Sequence, residues 1–428
     1  MRLIFLFNFT SILSLATSER VLLDQSAARR DLPYESPLPA LKWRRNIVRA
    51  MKPTPRDLRP LQVRDTTTEF PEINAKFSVE STEYKISNAG GYPRLAKLAD
   101  GTILSVQTLP KVNGTTSIMQ VSKSTDGGKS FSLFSEVIRA QNKDLDNGFL
   151  IELPPSQSTR VEKHGAPVLI AAYRNHDLDS SGNPTYFRIA ASRSEDGGRT
   201  WKEASHVFEI SAEKSQGMGV WEPFMRIGNQ GEVQLTYSGE IGPGNQETFR
   251  ALSRDGGKSW TEPVNLRLHS KDEPMRDGMQ SIISVKDSEN GRVALVMALE
   301  VKIGAVVHLD YTISYDDGAS WQNRSGIYDP EGDDKSAGAP QVANIGDGIV
   351  VVFMTDEDTE HVDWPKKAAT KALFSDGLKN GVLAWTKNPL LVDESPSWWP
   401  GVVEIGDNEA MAVYGHDNSP RGRRIKKQ

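Results

Sequence analysis

An eight-residue pattern, Ser-x-Asp-x-Gly-x-x-Trp, constrains the fold of this chain more than any other feature. It occurs as Ser194-Glu-Asp196-Gly-Gly198-Arg-Thr-Trp201, Ser253-Arg-Asp255-Gly-Gly257-Lys-Ser-Trp260 and Ser314-Tyr-Asp316-Asp-Gly318-Ala-Ser-Trp321. A fourth copy, Ser124-Thr-Asp126-Gly-Gly128-Lys-Ser-Phe131, ends in Phe. Each part has a physical role. Ser and Asp side chains bond the backbone N–H groups of a tight turn, and Gly supplies positive φ. The aromatic residue is then free to pack between neighbouring sheets. The serines are spaced by 70, 59 and 61 residues, and a step of that size means repeated structural units. A worn fifth copy stands at Ser375-Asp376-Gly377, with Trp385 beyond it.

A second repeat underlies the first. It consists of a strand, a polar or Gly turn, and a strongly apolar strand. Its copies begin near Tyr92, Gly148, Glu222, Met279, Pro340 and Trp399. The runs are short, rich in β-branched residues and bounded by Gly, Pro and Asp, which reads as strand. A further strand leads from each of the first four units into its tight turn. The sixth unit lacks room for outer strands, and residues 77–87 can supply one, closing a ring and removing an exposed edge. The fold expected is all-β, a six-bladed β-propeller spanning about 77–418.

The remainder of the chain has a different character. Residues 1–18 combine Arg2, an apolar run and a small-residue cleavage pattern, which predicts a signal peptide and a secreted, extracellular protein. The apolar run is too short to span a bilayer, so no membrane partner is expected. Asn113-Gly-Thr115 and Asn323-Arg-Ser325 are glycosylation acceptors consistent with that route. Residues 19–76, rich in Arg and Pro, read as a disordered or removable leader, and the basic tail 419–428 as disordered. The chain has no cysteine, which excludes disulfides, thiolate metal sites and cysteine nucleophiles. A net charge of −5 argues against a nucleic-acid surface. The seven histidines form no metal-binding spacing, so neither metal nor cofactor is expected. A monomer is expected.

In a four-stranded blade, the start of the first strand and the end of the second lie on one face. The Ser/Asp turns lie on the other, so their aspartates are scaffold. The site face then presents Arg94, Asp146, Glu222, Asp277, Gln341 and Trp399 from strand starts. From strand ends it presents Arg174, Asn175, His176, Asp177, Glu300 and Asp356. Clustered carboxylates with aromatics suit glycoside hydrolysis, where one acts as acid/base and another as nucleophile or base. Glu222 and Glu300, one unit apart, are the candidate catalytic pair. A carboxylate closing an apolar strand is partly desolvated, which favours a proton donor. Arg94 reads either as a substrate contact or as a structural ion pair. Trp399 reads either as a sugar platform or as a channel plug.

The Ser/Asp turns resemble the Asp-box of sialidase-like propellers. Tyr-Pro-Arg94-Leu, Tyr-Arg-Asn-His176-Asp, Trp-Glu222-Pro-Phe, Arg-Asp277-Gly-Met, Val-Met-Ala-Leu-Glu300 and Trp399-Pro-Gly are together similar to glycoside hydrolase family 93. That resemblance covers about 79–418. It implies a secreted exo-α-1,5-L-arabinanase that retains anomeric configuration and releases arabinobiose from a polysaccharide or oligosaccharide. It also implies two catalytic glutamates. Glu222 is assigned as nucleophile and Glu300 as acid/base, an assignment the motifs leave open to exchange. Arg94, Arg174, Asn175, His176, Asp177, Asp277 and Trp399 are the expected substrate-binding residues. Two alternatives stand beside it. A sialidase needs an arginine triad and a nucleophilic tyrosine, which are not evident here. A non-catalytic carbohydrate-binding propeller fits the turns equally well, because fold does not fix function.

Overall fold

The computed structural model describes residues 76–155, 166–270, 273–332 and 334–428. The expected signal peptide and all of the expected leader except Lys76 lie outside them. Among the described residues there are strands and turns but no helix. The strands build a β-propeller. The innermost strands Gly91–Lys97, Lys143–Glu152, Val220–Ile227, Arg276–Lys286, Ala337–Ile345 and Trp398–Gly406 each pack on the next, and the last packs on the first. That closure leaves no inner edge exposed.

The strands form five hydrogen-bonded sheets rather than the six separate ones the repeat predicts. One sheet has eight strands. In it, the antiparallel group that begins with Val220–Ile227 joins the group that begins with Arg276–Lys286. The join is a parallel pairing of Gln246 with Arg276.

The tail expectation is overturned. Ser419–Lys427 is a strand along Glu409–His416, and it also pairs with Phe77–Val79 and Tyr84–Lys85. Its basic residues have local partners. Arg421 bonds Glu83 at 2.6 Å, Arg424 bonds Glu409 at 3.2 Å, and Lys426 meets Glu80 at 2.5 Å. Charge alone therefore misleads here, because the neighbouring strands supply the acids. The expected closure by 77–87 holds, with the tail as the strand in between.

The repeated turns behave as their chemistry requires. In the first, Gly128 N–H donates to Ser124 Oγ at 2.9 Å, and the N–H groups of Lys129 and Ser130 donate to Asp126 Oδ1 at 3.0 Å. The same contacts recur around Asp196 and Asp255. Ile103 pairs with both Lys97 and Ser124, whereas Gly91 pairs with Thr108 at the far end. The turns thus lie at the end of the sheet opposite the strand starts. In the fifth copy Ser375 Oγ has no partner. Asp287, from the neighbouring group, instead accepts the N–H groups of Asn380 and Gly381 at 2.8 Å. The turn aromatics bridge sheets: Trp260 Nε1 donates to Ser205 Oγ at 2.9 Å. Trp260→Ala should lower unfolding stability by about 3 kcal/mol, as for a large core truncation. KM should stay normal in the folded variant, because this end is remote from the site. Denaturant titration and steady-state kinetics check both.

The opposite end carries a feature the sequence reading missed. Every innermost strand has a register shift, and at each one a residue has positive φ. These residues are Tyr92, Asn147, Glu222, Met279, Ala339 and Trp399, with φ from 52° to 58°. Positive φ is uncommon for non-glycine residues, and bulges gather beside functional sites, where they re-aim side chains. Four of the six precede proline, which has no N–H to lose from the ladder.

Candidate active site

The bulges aim Glu222 into the mouth of the channel. Its Oε2 accepts the Met279 N–H at 2.8 Å, and Ser238 Oγ lies 2.9 Å from it. Gln280 Nε2 donates to the Glu222 carbonyl at 2.9 Å. Glu300, which follows the apolar residues 293–299 within the strand Val293–Ile303, repeats the arrangement one group later. Its Oε2 accepts the N–H of Ala339 at 2.8 Å. Each carboxylate is therefore held by the backbone of the next group's bulge.

Gly278 separates the two. A methyl group built on it would stand 3.1 Å from Glu222 Oε2 and 3.3 Å from Glu300 Oε1. Those oxygens are thus no further apart than the sum, about 6.4 Å. Burial, and then the charge of Glu222, push the Glu300 carboxyl up to about 7. The arrangement pairs a carboxyl that keeps its proton near neutrality with a carboxylate held by hydrogen-bond donors.

Aromatic and sulfur-bearing residues surround the pair. Tyr92, Met279, Ala339 and Met354 form a buried cluster, with Trp364, Trp398 and Trp399 packed against it. A methyl group built on Gly338 would lie 2.7 Å from Glu300 Oε2 and 2.9 Å from Trp364 Cζ2, so the indole stands beside this carboxylate. Trp398 Nε1 donates to Pro365 O at 2.9 Å, tying the Trp364 loop down. Burial holds the Tyr92 phenol above its ordinary range, so it stays protonated. Tyr92, Trp364, Met279, Gly278 and Gly338 were not legible as site residues. The repeated residue-before-Pro position could have revealed Tyr92 but not Trp364, which lies in a loop outside the repeat.

Several expected substrate contacts are placed elsewhere. Arg174–Asp177 all lie within one continuous strand, Leu169–Leu178. Strand alternation splits the four side chains between two faces. Arg174 pairs with Asp144 at 3.0 Å and lies over the Trp221 ring at 5.1 Å. His176 is fully buried, 2.9 Å from Val220 O and edge-on to Trp221, and burial with the Arg174 charge pushes it down to about 3. It packs against Trp221, and its Nδ1 has no partner among the described residues. On the other face, Asn175 reaches Glu203, and Asp177 pairs with Lys143 and with Arg188 at 2.9 Å. Asp277 is completely buried, and both its oxygens are engaged by Arg324 at 2.7 and 2.8 Å. Arg94 is buried beneath the mouth, donates to Pro93 O and Trp399 O, and lies 3.9 Å over the Tyr92 ring. Its Nη1 ties Pro93 to Trp399, while its Nη2 is buried without a partner among the described residues. Trp399 stays at the mouth, part-buried beside Tyr92.

No protein-family model matches the chain, and no curated protein matches it in sequence. Solved structures do match. The family 93 α-L-arabinofuranosidase of Fusarium graminearum, in complex with arabinobiose, superposes with a TM-score of 0.59 at 18% identity. That match covers 81% of this chain and 97% of the other. The α-L-arabinanase of Penicillium chrysogenum, also complexed with arabinobiose, gives 0.56 at 18% identity, covering 82% and 98%. A protein of unknown function from Dyadobacter fermentans gives 0.58 at 13% identity, covering 82% and 99%. This chain is similar to all three in fold, and the resemblance read from its motifs points to the first two.

Proposed function

We propose that this protein is a secreted, exo-acting, retaining glycoside hydrolase that cleaves α-1,5-L-arabinan and releases arabinobiose. Glu222 acts as nucleophile and Glu300 as acid/base. The eight-stranded sheet counts as two blades in this reading, which gives six in all. One observation carries it: two part-buried carboxylates at the channel mouth, with oxygens within about 6.4 Å of each other across Gly278. Retaining hydrolysis holds its carboxyl groups ~5–5.5 Å apart and inverting hydrolysis ~6.5–9.5 Å apart, to admit a water. An oxygen pair within about 6.4 Å is compatible with the shorter class. The arabinobiose-bound neighbours support arabinan as the substrate. A sialidase is not favoured, because the arginine triad and nucleophilic tyrosine it needs are not evident in the sequence.

In catalysis, Glu300 donates its proton to the leaving oxygen as Glu222 attacks the anomeric carbon. Glu300 then takes a proton from the water that releases the sugar. An acid must be protonated to begin, and burial and Glu222 raise Glu300 to about 7. kcat/KM should therefore fall as pH rises through about 7, and a pH–rate profile checks this. The functional test is a screen of the purified protein on linear α-1,5-arabinan, sialyl-lactose and a glycan array. Arabinobiose release is the expected result. Binding without turnover on every sugar would support a carbohydrate-binding propeller instead.

A further inference from the structure

The two strand groups that carry Glu222 and Glu300 are joined differently from the rest of the molecule. Gln246 with Arg276 is the one parallel pairing among the described strands, and Gln246 N–H donates to Met275 O at 3.1 Å. Beside this seam lies a buried ionisable cluster. His269 Nδ1 is 2.9 Å from Asp277 Oδ2. His269 Nε2 is 3.2 Å from Asn245 Oδ1 and 3.6 Å from Glu247 Oε1. Arg324 engages both Asp277 oxygens and also pairs with Asp310 at 3.0 Å. Glu247 comes from one side of the seam and Asp277 from the other. The side chains of His269 and Asp277 are fully buried.

Both ring nitrogens of His269 face acceptors. Asn245 Nδ2 donates to Glu273 O, so its oxygen is the atom turned toward the ring. A neutral imidazole can donate from only one nitrogen, and an imidazolium from both. The segment that follows Asp277 is the bridge between the carboxylates. Gly278 stands opposite Glu300 in the strand register, and Met279 N–H holds Glu222. Gln246 Nε2 donates to the Asp277 carbonyl at 2.8 Å, which ties that bridge to the seam.

We propose that His269, as a buried imidazolium between Asp277 and Glu247, is a positioning residue that locks the seam and sets the separation of Glu222 and Glu300. This rests on the reading of those glutamates as the catalytic pair. Burial alone would depress His269, but the Asp277 hydrogen bond and the charges of Asp277 and Glu247 outweigh it, against the opposing Arg324, and its pKa is raised. Burial pushes Glu247 up to about 7 as well, against His269 and Arg324. Both groups bind protons more tightly folded than unfolded, so the stability they contribute is present at low pH and is lost as pH rises through their folded values. Glu247, His269 and Asp277 are close enough to surround a metal ion. Arg324 already occupies both Asp277 oxygens, which favours the proton over the metal.

The test uses the full chain labelled with 15N-histidine. Both His269 ring nitrogens should stay protonated above the ordinary midpoint, the signal being identified by its loss in His269→Gln. Titration near the ordinary midpoint of about 6.5 would overturn the proposal. Folded His269→Gln should lose about 10²-fold in kcat with little change in KM, as for a small misplacement of reacting groups. Unchanged kcat would overturn the positioning role. If that variant does not fold, Glu247→Gln serves in its place. It removes a supporting charge, so the His269 midpoint should fall, and an unmoved midpoint contradicts the strut. Dialysis against EDTA should leave the melting temperature unchanged, and a drop reversed by added zinc would replace the strut with a metal site. The NMR titration needs no substrate. A wild-type protein inactive on every sugar would therefore defeat the catalytic reading while leaving this result legible.

Discussion

Glu300→Ala is expected to lower kcat on arabino-oligosaccharides by about 10³–10⁴-fold, at the upper end of what general acid–base catalysis contributes. On an aryl arabinoside, whose leaving group needs little protonation, the first step should survive. Azide then intercepts the glycosyl-enzyme and gives the α-arabinosyl azide. Glu222→Ala should be at least as inactive, and azide attacking the substrate directly gives the β anomer. The two anomers assign the roles, and exchanged anomers mean exchanged roles. Stability should move the other way from activity. Glu300 has a folded pKa of about 7, raised by burial and by Glu222, against an ordinary value of about 4.3. The wild-type fold therefore loses stability as pH rises through about 7, and Glu300→Gln removes that loss. At pH 8 the variant should melt at or above the wild-type temperature.

The second large effect concerns a residue with no side chain. Gly278→Ala places a methyl group 3.1 Å from Glu222 Oε2 and 3.3 Å from Glu300 Oε1. Each carboxylate must give by a few tenths of an ångström, a fraction of the ~1 Å misplacement that costs about 10²-fold. A loss of kcat smaller than that is expected in protein that remains folded. Gly91 is the matched control. It holds the same place before a bulge residue, Tyr92, and a methyl group on it meets nothing within 4 Å. Gly91→Ala should keep wild-type kinetics. Equal effects of the two substitutions would show that the position matters to folding rather than to the carboxylates.

The parts of this molecule that were legible in the sequence are those fixed by local chemistry. The Ser/Asp turns announce themselves because Ser124, Asp126 and Gly128 meet within one turn. Glu222 and Glu300 are legible because each ends or opens a recognisable strand. What failed depended on distant partners. Asp277 looks like a site carboxylate until Arg324 and His269, 47 and 8 residues away, are seen to enclose it. Arg174–Asp177 looks like an open strand end because nothing local shows the strand continuing through it. The tail looks disordered because Glu83 and Glu80, more than 300 residues earlier, neutralise it. Trp364 had no signal at all, since its loop lies outside the repeat.

The most direct measurement is the anomeric form of the first product. Proton NMR of wild-type protein acting on a linear α-1,5-arabino-oligosaccharide, recorded before mutarotation, should show the α anomer of arabinobiose. That is the outcome of double displacement by Glu222 and Glu300 across Gly278. Initial β anomer would mean that a water attacks directly, and the two carboxylates would then not be the nucleophile and acid/base of a retaining enzyme.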